Sequence, residues 1–263
     1  MQNGLIELAT QWLYQFLERQ SGEGLTLAAT RTGPVFVRRG DIIGDAMVAH
    51  GAWDYFLYPV IESFASRRGT ALDVGAQFGV ISCVMAKHFD RVVSIEPNFE
   101  SFRILTLNTL IRPNITPINA CAYDAHTTMS LSPPDEQDIA IPLDPSGHLD
   151  FGATDNVGSL SFSERGTGLN RVHTIRIDDL ALADLTLMKV DVQGADGRVL
   201  LGARETIARH RPTILFEWED HLSAHHGVSL GEVRGLLEGA GYRIDVLFSH
   251  NDKQTDYIAR PAG

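Results

Sequence analysis

Apolar residues recur at near-helical spacing at the start of the chain, where Leu5, Leu8, Trp12, Leu13, Phe16 and Leu17 form one stripe. The spacing predicts an amphipathic helix that ends at Gly22 and Gly24. From Leu25 to Val37 the pattern loosens into short β-like pieces around a Gly33-Pro34 turn, and Asp45 to Phe64 reads as a second helical stretch interrupted near Pro59. Residues 1–69 thus read as an accessory cap. Beyond them the period changes. Thr70 to Gly75 is a short apolar run closing on glycine, Val80 to Lys87 has helical spacing, and Arg91–Ile95, Ser101–Leu110 and Ile115–Cys121 read as strand, helix and strand. The alternation resumes with a strand at Leu185–Val190, a helix from Arg198 to His210, a strand at Thr213–Phe216 and a helix from Leu230 to Gly239. Tyr242–Phe248 and Asp256–Ala259 follow with no helix between them, joined by a hairpin over Ser249–Gln254. Strands that alternate with helices pair in parallel through right-handed crossovers, so residues 70–263 are expected to form an α/β, doubly wound sheet of seven strands, the last antiparallel.

One long stretch breaks this rhythm. Residues 124–172 are rich in Asp, Ser, Gly and Pro and carry no sustained period, which reads as an insert, either a functional lid or a surface excursion. Composition narrows the partners. With 44% hydrophobic residues the chain has enough for a sizeable core, and 22 Lys+Arg against 33 Asp+Glu leaves a net charge of −11, the wrong sign for gripping a phosphate backbone. Nucleic acid is therefore not an expected partner. Cys83 and Cys121 lack metal-ligand or disulfide-framework spacing, and the first twenty residues have neither a basic flank nor an uninterrupted apolar run. The expectation is a cytoplasmic protein without signal peptide or membrane span.

Candidate chemistry begins where the first strand ends. Asp73-Val-Gly-Ala-Gln-Phe-Gly79 lies at the carboxyl end of that strand, the place where open α/β sheets bind ligands. A dinucleotide loop would need a glycine where Gln77 stands, because the backbone must approach a pyrophosphate, and this disfavours NAD. The turn at Gly75, Ala76 and Gly79 beside the Asp73 carboxylate suits a ligand with an ammonium group instead. Glu96 ends the second strand 17 residues after Gly79, near the spacing at which an acid accepts from a ribose diol. Together these match an S-adenosylmethionine site, with the methionine moiety by the loop, the ribose at Glu96 and the adenine beside Cys121 and Ala122.

At this point the chain resembles the FkbM-type methyltransferases. The resemblance rests on the Asp73–Gly79 run, Ile95-Glu-Pro-Asn98, Ile177-Asp-Asp-Leu180, Met188-Lys-Val-Asp-Val-Gln-Gly-Ala-Asp196, Val199-Leu-Leu-Gly-Ala203 and Pro212-Thr-Ile-Leu-Phe-Glu217. That family usually has Asn where Gln77 stands and Glu-Gly-Ala-Glu where this chain has Gln193-Gly-Ala-Asp196, so a role requiring charge at position 193 is in doubt. The resemblance implies a class I methyltransferase of Rossmann-like fold, an O-methyltransferase acting on hydroxyls of sugars, glycolipids or natural products.

Methyl transfer to a hydroxyl is an in-line displacement that needs the oxygen held about 3 Å from the carbon and its proton removed. Asp191, at the mouth of the central strand, is the candidate base or orienter. Lys189 shares its strand face and either positions the acceptor or forms a structural pair with Asp191. Glu217, read as ending the next strand, is a candidate substrate contact, and with Asp191 a candidate pair for Mg²⁺, though no third ligand is identifiable. His221, His225 and His226 read as an exposed turn, and Asp178-Asp179 as a helix N-cap. Trp53, Asp54 and Trp218 read as packing residues, with closure of the methionine end of the pocket by Asp54 as the alternative. In the insert, His148, Asp155 and Asn156 are candidate acceptor contacts. An N-methyltransferase and a non-catalytic domain of the same fold are the competing functions.

Overall fold

The central sheet has seven strands and carries the site on one edge of its strand ends. The computed structural model describes residues 24–64, 68–132 and 156–263; the amphipathic helix expected over the first twenty residues, His148 and Asp155 lie outside them. In chain order the central strands are β3 (Thr70–Val74), β4 (Arg91–Ile95), β5 (Ile115–Ile118), β10 (Leu185–Val190), β11 (Thr213–Glu219), β12 (Tyr242–Ser249) and β13 (Gln254–Pro261). They lie in the order β12-β13-β11-β10-β3-β4-β5. β13 runs antiparallel to both of its neighbours while β10, β11, β3, β4 and β5 are mutually parallel, which is the expected doubly wound sheet with its last strand reversed. The order turns between β3 and β10, so a crevice opens at their carboxyl ends. β3 and β10 are buried on both faces, as their near-continuous apolar sequences require.

Helices cover the sheet: α3 (Val80–Met85), α4 (Phe99–Ile111), α5 (Asp196–Leu201), α6 (Arg204–His210), α7 (Asp220–His226) and α8 (Leu230–Gly239). The helix expected over 198–210 is two helices, broken at Gly202, where a Cβ would run into the Tyr123 carbonyl. α7 replaces the exposed turn expected at the three histidines. His226 is buried, its backbone carbonyl accepting from Arg198 Nε at 2.7 Å, and burial lowers its pKa to about 4. His221 and His225 lie exposed. Asp178 does not cap its own turn. It accepts from the backbone of Thr206 at 2.8 Å and so caps α6, across 28 residues of chain.

The accessory region packs as a hairpin and short helices: β1 (Leu25–Thr30), β2 (Gly33–Arg38), α1 (Ile42–His50), a 3₁₀ turn at Tyr55–Leu57 and α2 (Tyr58–Glu62). Gly33-Pro34 opens β2 instead of forming the turn, because Thr30 and Gly33 are the last paired residues and Arg31-Thr32 link them. The break in the helical stretch is at Gly51, which is left-handed at φ 68°, while Pro59 sits in the first turn of α2, where its missing N–H costs nothing. Asn108 of α4 fastens this region down: its amide accepts from Phe36 N at 2.7 Å and donates to Phe36 O and Phe78 O. Val35, Val37, Met47 and Ile61 then share one core with Ala71, Ile81 and Leu187.

The described residues of the insert form strands on either side of residues 133–155. β7 (Thr128–Leu131), β8 (Phe162–Ser163) and β9 (Val172–Ile175) join β6 (Cys121–Ala122) in a second, four-stranded sheet, so the third strand expected to run through Cys121 stops at Ile118. Among the described residues no helix is long and apolar enough to cross a membrane.

Candidate functional site

A cavity of about 380 Å³ opens over the carboxyl ends of β3, β4 and β10. One end is built from two adjacent turns. After β3 the chain makes a tight turn with Gly75 and Gly79 at φ 77° and 81°, where a Cβ would run into the Asp191 carbonyl and the Leu105 side chain respectively. These glycines are thus demanded by packing against β10 and α4. Between them Gln77 holds a left-handed φ of 48°. After β4, Glu96 turns back into the cavity wall and is almost wholly buried, its two carboxylate oxygens accepting from Gln77 N and Asn98 N, both at 2.8 Å. Burial pushes its pKa up to about 7 against the pull of those two amides. The side-chain amides of Gln77 and Asn98 line the cavity and their nitrogens are buried without a partner. Unpaired buried donors are costly, and here two of them border an open cavity beside an acceptor carboxylate. Cys121 and Ala122 form part of the wall.

Asp73 departs from expectation. It is fully buried beneath the cavity and does not line it; its Oδ2 accepts from Ser82 Oγ at 2.5 Å and its Oδ1 lies 3.7 Å from Lys189 Nζ. Lys189 spans the floor, pairing with Asp191 Oδ2 at 3.0 Å and donating to Gly75 O at 3.3 Å. Burial alone would lower its pKa, but Asp191, Asp73 and Asp54 outweigh burial and raise it, so the ammonium stays charged. Asp191 lines the cavity with Oδ1 outside that ion pair.

The other end is acidic and aromatic. Glu217 lies inside β11, which runs on to Glu219, and stands directly across from Asp256 on antiparallel β13. Both are buried. Like charges at such a cross-strand position repel, and burial together with Asp191, Asp196 and Asp256 raises the Glu217 pKa well above the carboxylate range. Gln254 Nε2 donates to Glu217 Oε1 at 2.6 Å, and Asp256 Oδ2 is 2.7 Å from His250 Nε2. Asp54 enters this end too, against the packing reading. It is left-handed at φ 46°, it lines the cavity beside Trp53, and burial followed by the Asp191 charge raises its pKa to about 7. Trp218 is a packing residue as expected, buried with its indole N–H donating to Asp220.

The insert supplies the roof. Asn156, Val157, Leu160 and Phe162 line the cavity, and Asp41 of the accessory region caps α1 with one oxygen while accepting from Val157 N at 2.9 Å with the other. Among the described residues the carboxylate and imidazole atoms close enough to share a metal ion are those of Glu217, His250 and Asp256, and not the expected pair of Asp191 and Glu217. Sequence reasoning passed over His250 and Asp256, which sit in a hairpin with no motif; the one signal was that the hairpin returns to the end of β11.

The family model for the methyltransferase FkbM domain matches residues 73–244. No curated protein sequence matches the chain. Among solved structures, the chain is similar to methyltransferase FkbM from Methylobacillus flagellatus KT, at 19% identity over 73% of this chain and 43% of that one, with a TM-score of 0.48. It thus spans less than half of that protein. A precorrin-6y C5,15-methyltransferase from Geobacter metallireducens GS-15 is similar at 14% identity over 78% of this chain and 88% of that one, with a TM-score of 0.43. A TehB-like SAM-dependent methyltransferase from Corynebacterium glutamicum is similar at 12% identity over 83% and 94%, with a TM-score of 0.41. Identities this low assign no activity.

Proposed function

The chain belongs to the methyltransferase FkbM family, and from that premise we propose that it is an S-adenosylmethionine-dependent O-methyltransferase acting on a hydroxyl of a small acceptor such as a sugar, glycolipid or natural product. The observation that carries this reading is the trio at the cofactor end: the buried Glu96 carboxylate, with the unpartnered amide nitrogens of Gln77 and Asn98 beside it on the cavity wall. A ribose diol has donors for Glu96, and the remaining polar atoms of the cofactor have acceptors for the two amides. Cys121 and Ala122 offer an apolar wall for the adenine. When bound, the cofactor supplies a methyl group on a cationic sulfonium.

This chain's residues then divide the remaining work. Lys189 holds Asp191 in place, and Asp191 Oδ1 orients the incoming hydroxyl at the mouth of the central strand. Glu217 and Asn156, both in the cavity lining, face the acceptor. The segment over 124–172 closes the acceptor side. The chain's buried thiols, Cys83 and Cys121, suit a reducing cytoplasm.

A second reading has its own observation. Asp54, Asp191, Glu217 and Asp256 crowd one end of the cavity with Lys189 as the ammonium among them, which favours a cationic acceptor and hence N-methylation. The experiment for both is calorimetry with S-adenosylmethionine, its demethylated product and NAD, followed by mass spectrometry on matched hydroxyl and amine acceptors with labelled methyl donor. Binding of the sulfonium compound and a labelled hydroxyl support the first reading. A labelled amine supports the second, and tight NAD binding alone overturns both.

A further inference from the structure

Resting on the O-methyl reading, we propose that His250, held by Asp256, is the general base that takes the proton from the acceptor hydroxyl. Three of the four acidic residues at this end are already engaged, Asp191 by the Lys189 ammonium, Glu217 by the Gln254 amide and Asp256 by His250 itself, and the fourth, Asp54, is buried, which raises its pKa to about 7. His250 lines the same cavity as Asp191 and Lys189. Its Nε2 lies 2.7 Å from Asp256 Oδ2. A carboxylate oxygen accepts, so at this contact Nε2 is the donor and carries the shared proton. The lone pair is thereby fixed on Nδ1, the arrangement by which a carboxylate orients an imidazole for proton abstraction.

The ring is also held mechanically. It meets the Phe248 ring edge-on at 4.9 Å and the Phe56 ring at 5.6 Å, and those two rings stack on each other at 4.6 Å. Its backbone N–H donates to Gln254 O across the β12–β13 hairpin. Phe248 belongs to the sheet and Phe56 to the accessory region, so the base is clamped between the two parts of the protein that enclose the acceptor. The charged groups around it are Asp256 from β13, Glu217 from β11 and Asp54 from the turn before the 3₁₀ helix, with Asp191 and Lys189 beyond. The Asp256 carboxylate, in contact with the ring, stabilises the imidazolium formed in the reaction. The step balances: the acceptor O–H breaks and its proton goes to Nδ1, an oxygen lone pair forms the O–CH₃ bond, and the C–S electron pair returns to sulfur, leaving a neutral thioether. The proton then passes to solvent, to which the ring is partly open.

Two measurements test this. Labelled methyl transfer to a panel of methyl glycosides, phenols and alkylamines should show His250→Ala lowered about 10²- to 10⁴-fold in single-turnover rate on hydroxyls, with affinity for S-adenosylhomocysteine within about twofold, and partly restored by added imidazole. The loss should be smaller for phenols than for sugar hydroxyls, since phenols need less help to lose a proton. Imidazole-nitrogen NMR of the wild type with S-adenosylhomocysteine should show Nε2 protonated and Nδ1 bare, an assignment lost in Asp256→Asn. A His250→Ala protein that labels hydroxyls at the wild-type rate overturns the role of His250 while the O-methyl reading stands. A wild type that labels only amines overturns the O-methyl reading and the base with it. A proton on Nδ1, or stoichiometric Mn²⁺ that quenches the His250 ring signals and raises the rate, overturns the base in favour of a metal held by Glu217, His250 and Asp256.

Discussion

The two ends of the cavity are built by different means. The cofactor end comes from two contiguous runs, residues 73–79 and 95–98, each a strand end followed by a turn, and its key carboxylate is satisfied by backbone N–H groups from those same turns. The acceptor end comes from Asp54 of the accessory region, Asp191 after β10, Glu217 of β11, and His250 and Asp256 of the β12–β13 hairpin, and most of these side chains are held by other side chains. A fixed cofactor can be met by backbone geometry that one local sequence encodes. A variable acceptor calls for side chains that can be exchanged without disturbing the strands. Three of the eight left-handed non-glycine residues among the described residues line the cavity: Gln77, Asp54 and Gln193, with φ of 48°, 46° and 53°. Strain of this kind persists only where surrounding structure holds it, and it gathers at sites.

The ends meet at Lys189, and breaking that junction should have the largest effect. Lys189→Met leaves Asp73 buried with no cation and Asp191 without its partner. Removing one member of a buried pair costs roughly 3–5 kcal/mol, or on the order of 10 °C in melting temperature for a domain of this size. Asp191→Asn leaves Lys189 opposite Asp73, so its melting temperature should fall far less while turnover falls about 10²- to 10⁴-fold. Thermal denaturation and single-turnover rates on the two variants decide the matter. Equal melting losses with near-normal turnover for Asp191→Asn would make the pair purely structural and dissolve the functional division between the ends.

A cut in the insert probes the division from the other side. Excising residues 137–151 behind a short glycine link keeps Val157, Leu160 and Phe162 on the cavity wall. Affinity for S-adenosylmethionine should stay within about twofold, because every cofactor contact assigned above lies elsewhere, and acceptor turnover should fall at least about a hundredfold. Calorimetry and methyl-transfer assays measure each, and full activity would reduce the segment to a passive loop.

The same division explains what could be read from the chain. The alternation of strands and helices, the reversed last strand and the loop over 73–79 were legible because hydrophobic period and turn residues are local properties. Glu96 was legible through its spacing from Gly79. Asp73 was misplaced because one-dimensional order cannot say on which face of β3 a carboxylate points, and it points beneath the cavity to Ser82 and Lys189. Asp54 was read as packing because its route over the sheet depends on Asn108 gripping Phe36, a contact spanning 72 residues. The Glu217–Asp256 register and the His250 ring clamp are cross-strand facts that no spacing along the chain encodes.

Within the cofactor end, Glu96→Ala should weaken S-adenosylmethionine binding about tenfold to a hundredfold, since each charge-assisted hydrogen bond is worth roughly 1.5–3 kcal/mol. Calorimetric titration gives the number directly. Unchanged affinity would place the ribose away from Glu96 and leave that end without its defining contact.

The smallest effect expected is in pH dependence, and its sign follows from the burial of Glu96. Its carboxyl rises from an ordinary 4.5 to about 7 in the folded protein, so the folded state takes up the proton first. The resulting stabilisation of the free protein is fully present below about pH 4.5 and is lost as pH rises through about 7. Cofactor binding runs the opposite way, because a ribose diol donates to the carboxylate and the acid must first lose its proton. Affinity should therefore be flat above about pH 7 and fall about tenfold per unit below it. Glu96→Gln should remove that slope. Asp54 at the acceptor end also titrates at about 7, and its charge could attract the sulfonium, so Asp54→Asn is the necessary companion. Calorimetry from about pH 5.5 to about pH 8.5 on the three proteins separates them. A slope that survives in Glu96→Gln and vanishes in Asp54→Asn would mean that the acceptor end governs cofactor binding, and the two ends would have to be treated as one electrostatic unit.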